Sequence, residues 1–201
     1  VNVFTQRPRA AQKLATRERI LEEARQCFAE RGFEATTIRD VAACAGVAVG
    51  TVFVHFADKH ALLAATLDDQ LDQVLSRALA TLPAADARAK VRHVLKALFQ
   101  RYARQPALSR VLVREMLFVE GPQRPPARAR VQAFVGLLET WCREPGALEP
   151  GLAARDAADA IFAAYIAALI EGLGEPAPRA SKMLARVDRL IAPWFTNGGR
   201  P

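Results

Sequence analysis

The sequence predicts an all-α protein, and three observations carry that expectation. Apolar residues recur at the 3.6-residue spacing along nearly the whole chain and almost nowhere alternate. Cap-forming residues open several of these stripes, and Gly or Pro closes them. The 201 residues are 51% hydrophobic and 24% charged, a composition that supports a sizeable folded core. About nine helices are expected, a short-helix N-terminal unit followed by a larger helical bundle.

Taken in order, Ile20/Leu21, Ala24 and Cys27/Phe28 form the first stripe, and Gly32 suits its C-cap. Thr37 opens a short helix with Asp40 three residues on, a capping-box spacing. Val41, Ala42 and Ala45 give that helix an inner face, and Gly46 stops it. A second short helix begins near Ala48. Asp58 then caps a long one, whose stripe runs from Leu63 to Leu82 before Pro83. Further stripes lie at Val91 to Tyr102, Leu108 to Val119 and Val131 to Cys142, and two last helices span roughly 152–173 and 179–196.

The net charge of +7 favours acidic partners, nucleic acid or an anionic membrane surface. Positive charge gathers before the first apolar stripe, where Arg7, Arg9, Lys13, Arg17 and Arg19 outnumber Glu18. The three cysteines are far apart in sequence and form no CxxC or Cys/His cluster, which argues for reduced thiols and against zinc. His55, His60 and His93 lack metal-ligand spacing. No Ser/His/Asp set, phosphate loop or cofactor motif occurs, so a binding protein without cofactor or metal is expected rather than an enzyme. The most apolar run, Ala160 to Ile170, is about half of a membrane span, and no signal-peptide pattern opens the chain. Those readings predict a cytoplasmic protein with no membrane partner.

The stretch "TTIRDVAACAGVAVGTVFVHF" places two short helices about a turn at Ala45-Gly46-Val47. That is the helix-turn-helix, whose second helix enters the major groove of DNA. Residues 17–63, "RERILEEARQCFAERGFEATTIRDVAACAGVAVGTVFVHFADKHALL", resemble the TetR-type (tetracycline-repressor) transcriptional regulators. The resemblance rests on Ile20-Leu21, Ala24, Phe28, Gly32, Thr36-Thr37, Val41-Ala42, Ala45-Gly46-Val47, Gly50-Thr51, His55-Phe56, Lys59 and Leu62-Leu63. It implies a three-helix DNA-binding domain joined to a ligand-binding and dimerising bundle of helices 4 to 9. The expected division is a flexible basic arm over 1–16, a DNA-binding domain over 17–58, and the ligand-binding and dimerisation domain over 59–201.

By that resemblance Thr37, His55 and Lys59 meet phosphates, while Gly50 and Thr51 lie on the recognition helix. Arg39 is a phosphate partner by its spacing, and the Arg7/Arg9 arm is expected in the minor groove. Ala48 stands where the family commonly has Ser, so the recognition helix lacks a side-chain cap. Phe53 replaces a frequent Tyr, Val49 a frequent polar residue, and Val54 a commonly larger aromatic or polar one. Val49 and Val54 either pack inside the domain or touch the groove; Val52 and Phe56 already supply an inward face, which favours the groove. Apolar side chains can read the thymine methyl.

In the bundle, Ala157, Ala160, Ala164 and Ala168 of helix 8 lie at helical spacing, as do Leu184, Val187, Ile191 and Trp194 of helix 9. The resemblance implies that these two helices form the homodimer interface; burial within one chain is the other reading. Phe99, Tyr102, Met116, Phe118, Phe134, Trp141, Phe162 and Tyr165 would line an apolar ligand pocket as a set, although each alone reads as core. Arg114 and Glu115 either orient a ligand, face solvent or form an ion pair. The expected function is a repressor released from a near-palindromic double-stranded operator by an unidentified, largely apolar small-molecule effector. The alternative is a helical ligand-binding or scaffold protein with weak or non-specific DNA binding.

Overall fold

The structure is a computed structural model that describes residues 6–118 and 124–196; within these, the side chains of residues 6–8, 67, 115–118 and 124–128 lie outside the description. Nine α-helices occur among the described residues: α1 Gln6–Arg31, α2 Ile38–Cys44, α3 Val49–His55, α4 Lys59–Ala80, α5 Ala87–Arg104, α6 Pro106–Phe118, α7 Arg124–Cys142, α8 Ala154–Gly174 and α9 Ala180–Ile191, with a short 3-10 turn at Ala192–Trp194. Two compact units result. One holds the chain to Gln70 with Arg110–Leu117, the other Leu71–Ser109 and the chain from Phe118 on.

In the first unit α1 and α2, α2 and α3, and α1 and α3 pack pairwise. Ile20, Ala24 and Phe28 of α1, Val41 and Ala42 of α2, and Val52 of α3 are all buried. Gly32 ends the regular run of α1 with φ +82°, a conformation that favours glycine, and its N–H donates to Phe28 O at 3.2 Å. Thr36 is fully buried, and its hydroxyl shares its one proton between Gly32 O at 2.8 Å and Cys27 O at 3.1 Å, tying the bend to the end of α1. The two compact units divide between Gln70 and Leu71, within α4, whose first turns carry the buried Leu62 and Leu63.

In the second unit α8 packs on both α7 and α9, and α9 also on α5. Val91, Val94, Leu95 and Phe99 of α5, Leu138 of α7, Ile161 and Leu169 of α8, and Val187 and Ile191 of α9 fill the core. Gly172 allows the α8–α9 approach: a Cβ there would overlap Cγ, Cε and Sδ of the buried Met183. Asp188 of α9 accepts from Arg88 of α5 at 2.9 Å and also pairs with Arg92. After the 3-10 turn the chain pairs with the α7–α8 connection in an isolated antiparallel bridge, Leu148 to Phe195, flanked by Glu149 N–H to Trp194 O at 2.9 Å. Among the described residues α8 is the one single helix long and apolar enough to cross a membrane, yet its buried face is core of this unit.

Candidate nucleic-acid interface

α2 begins where its cap chemistry dictates. Thr37 is the N-cap, with its hydroxyl accepting from Asp40 N–H at 3.2 Å, while its own N–H donates to Asp40 Oδ2 at 2.8 Å. The Thr37 hydroxyl also donates to that carboxylate at 2.6 Å, and these bonds hold the Asp40 carboxyl below its usual range. Both Thr37 donors are thus engaged by Asp40, so a phosphate would have to share or displace them.

The turn follows from Gly46, at φ +61°. Ala45 N–H bonds Val41 O, Val47 N–H bonds Ala42 O at 3.0 Å, and the chain bends by 103° between α2 and α3. That angle is within the range of DNA-binding helix-turn-helices. α3 has no side-chain cap: Ala48 occupies the N-cap in extended backbone with only its carbonyl engaged, by Thr51 N–H at 2.9 Å. Val52 and Phe56 face inward, buried to 0% and 4% exposure, and Arg17 of α1 lies over the Phe56 ring at 5.3 Å.

The opposite face of α3 is apolar and open. Phe53 is 51% exposed and Val54 69%, so Val54 does not pack inside the domain. Val49 and Thr51 are half-buried, and Ala48 and Gly50 are exposed. A Cβ at Gly50 would meet nothing within 4 Å, and its backbone is ordinary helix, so the fold does not require glycine there. Arg39 is exposed on α2.

His55 ends α3, half-buried, and its pKa is lowered first by desolvation and then by Lys13 and Arg17. Sequence reasoning counted those two only as segment charge; their i, i+4 spacing on one helix face was the available signal. The basic segment itself departs from expectation. α1 starts at Gln6, so residues 6–16 are its first turns and not a flexible arm. Gln, Arg, Ala, Lys and Leu all favour helix, and Pro8 falls in the first turn, where its missing N–H costs little. Arg9 is exposed on this helix, and the Arg7 side chain lies outside the described residues.

Lys59 also departs from its expected role. Its ammonium donates to Phe33 O, Thr36 O and Glu34 O at 2.9, 3.1 and 3.4 Å and lies 4.3 Å from the Phe33 ring centre. An ammonium has three donors, and all are directed at these carbonyls. Lys59 therefore fastens the start of α4 to the α1–α2 connection instead of pointing outward to a phosphate.

Of the predicted pocket set, Phe99, Tyr102, Phe134, Trp141 and Tyr165 are buried and Phe162 is half-buried. Tyr165 gathers Phe99, Phe134 and Phe162 at ring-centre distances of 5.4, 5.9 and 6.1 Å, and its hydroxyl donates to that of Tyr102 at 3.3 Å. Burial raises the Tyr165 pKa well above its ordinary value. Arg114 is exposed and belongs to the first unit; Met116 and Phe118 have side chains outside the described residues. Of the predicted dimer set, Ala157, Ala164, Ala168, Val187 and Ile191 are buried by the chain's own packing, leaving Ala160, Leu184 and Trp194 part-exposed. The open face of α8 instead carries Ala163, Ala167 and Ile170, with Leu190 exposed on α9.

A glycine-turned helix pair with an open second helix, flanked by basic residues of α1, defines the class: a helix-turn-helix protein. Residues 20–66 match the family model described as "Bacterial regulatory proteins, tetR family". That match covers the helix-turn-helix segment and the start of α4, the part of the chain that is similar to this family. The HTH-type transcriptional repressor KstR2 of Mycolicibacterium smegmatis is 37% identical over 67 residues, 33% of each chain. AcnR of Corynebacterium glutamicum, also an HTH-type transcriptional repressor, is 46% identical over 50 residues, 25% of this chain and 27% of that protein. The similarity to these curated relatives thus spans about a third of their length or less. The fold extends further. FadR from Bacillus subtilis in complex with stearoyl-CoA superposes with a TM-score of 0.71 over 88% of this chain and 98% of that one, at 20% identity. The SmeT-triclosan complex gives 0.64 over 92% and 93%, at 24% identity.

Proposed function

We propose that this chain is a dimeric transcriptional repressor that binds a near-palindromic operator and is released by a largely apolar effector. The observation that carries the reading is α3 itself, held by a buried Val52/Phe56 face and presenting Val49, Gly50, Thr51, Phe53 and Val54 on the other side of a 103° bend. Base reading by this helix draws on the Thr51 hydroxyl, on apolar contact with thymine methyls, and on DNA shape. Affinity comes mainly from phosphate contacts of basic residues, with Arg9, Lys13, Arg19 and Arg39 the exposed candidates. The protein acts in the cytoplasm, on the chromosome.

Two recognition helices about one DNA turn apart require a two-fold pair. We assign the pairing to α8 and α9 through their open face, so Ile170→Glu and Leu190→Glu should yield monomers by size-exclusion chromatography with light scattering. The effector reading draws on the Tyr165-centred aromatic cluster and on the stearoyl-CoA and triclosan held by the similar structures. An effector releases DNA only if it binds the two states of the protein with different affinity.

The test is a fluorescence-anisotropy titration with the gene's own upstream DNA, across salt and against competitor DNA. Specific binding should persist against competitor, and replacing contacted thymines by uracils should weaken it roughly fourfold per lost methyl. Equal, weak binding to every sequence would sink the repressor reading. It would favour instead a helical ligand-binding or scaffold protein, the reading that the apolar, exposed Phe53 and Val54 keep open.

A further inference from the structure

The helix-turn-helix unit carries a second chemistry that DNA binding does not use. Cys27 on α1 and Cys44, the last residue of α2, are free thiols with their sulfurs 3.6 Å apart, the Cys27 thiol donating to the Cys44 sulfur. The two differ in access. Cys27 is 4% exposed, whereas Cys44 is open to solvent. We propose that the pair is a two-electron redox site, in which a hydroperoxide oxidises Cys44 and Cys27 then closes an intrachain disulfide.

The order of steps follows from access. The Cys44 sulfur, as thiolate, attacks the hydroperoxide; the O–O bond breaks, an S–O bond forms, and the oxidant leaves as water or an alcohol. The Cys27 sulfur, already in contact, then attacks the Cys44 sulfenic acid. The S–O bond breaks, the S–S bond forms, and the Cys27 proton departs with the hydroxyl as water. Two thiols are oxidised and one hydroperoxide is reduced, so the reaction needs no other partner. Burial, with Cys44 beside it, pushes the Cys27 thiol up to about 11, which suits the resolving rather than the attacking role.

Closure asks little of the fold. A disulfide needs its sulfurs at about 2.05 Å, so the gap to close is about 1.5 Å, within reach of side-chain rotation. The new bond would tie α1 to α2 across the Gly32 bend. It would remove freedom from the unfolded chain and thus stabilise the unit. This site stands independently of which DNA, or whether any, the protein reads.

The test treats the full chain with one equivalent of hydrogen peroxide and then alkylates the remaining thiols under denaturing conditions. The expected result is loss of two of the three thiols, a peptide map joining Cys27 to Cys44 with Cys142 still alkylated, and a thermal midpoint raised by several degrees until dithiothreitol is added. Cys44→Ala should abolish both the cross-link and the rise in midpoint. Cys44 converted to sulfinic acid with Cys27 still alkylatable, or linked to a second chain, would overturn the proposal. So would an intrachain link that leaves the midpoint unchanged or lower.

Discussion

The Lys59 ammonium lies over the Phe33 ring at 4.3 Å and donates to the carbonyl of the same residue at 2.9 Å. One cation thus holds both the ring and the backbone of the bend that sets α2 against α1. The ring in turn stacks edge-on against His60, 5.0 Å between centres, so the first turn of α4 grips Phe33 twice.

Removing that cation separates a positioning role from a phosphate contact. Lys59→Met should lower unfolding stability by about 2 kcal/mol, the range for a bond to a charged donor, as read by urea denaturation. The log–log salt slope of DNA binding should stay unchanged, whereas loss of a phosphate contact would reduce it by about 0.9.

Gly50 offers the converse test, because space around it is open within the chain. Gly50→Ala should leave stability unchanged or raise it by up to about 1 kcal/mol, the helix cost of glycine. On the proposed repressor reading, affinity for the operator should fall at least tenfold, since the added methyl would stand where the recognition-helix backbone meets DNA. Denaturation and anisotropy on the same preparation read both effects.

His55 makes stability depend on pH. Its folded-state pKa is lowered by desolvation and then by Lys13 and Arg17, so the unfolded chain takes up the proton first. The neutral imidazole's contribution is complete above the unfolded value of about 6.5 and is lost as pH falls through the folded value. His55→Gln should flatten the fall in thermal midpoint on acidification below neutrality.

The α8–α9 approach predicts a third kind of failure. Gly172→Ala forces the new methyl into Met183, which is 2% exposed and has little room to retreat. Overpacking of this kind costs about 1–3 kcal/mol. Met183→Val added to it should recover part of the loss, and a double-mutant cycle by thermal denaturation measures that coupling.

Much of the first unit was legible because its signals are local. Thr37 with Asp40, Gly46 after a capped helix, and the inward Val52 and Phe56 each act within a few residues. Three features were not legible, for three physical reasons. The start of α1 reads as a charged tail because Arg and Lys are both good helix formers and good solvating groups. Lys59 finds backbone carbonyls as partners, and these leave no trace in side-chain pattern. Along Ala160–Ile170 of α8 every position is Ala or a larger apolar residue, so the stripe that faces α7 and α9 lacks contrast there with the one left open. The aromatic residues around Tyr165 could be listed from spacing, but which of them meet depends on how α5, α7 and α8 cross.

The bridge between Leu148 and Phe195 has a kinetic consequence. Helical turns close over a few residues, whereas this pairing waits for α8 and α9 to be laid down between its two ends. Contacts of long sequence separation carry the larger loop-closure cost and slow folding. The bridge should therefore form last and open first, so that amide exchange at Glu149 and Thr196 reports the release of the α9 end before the core of the bundle loosens.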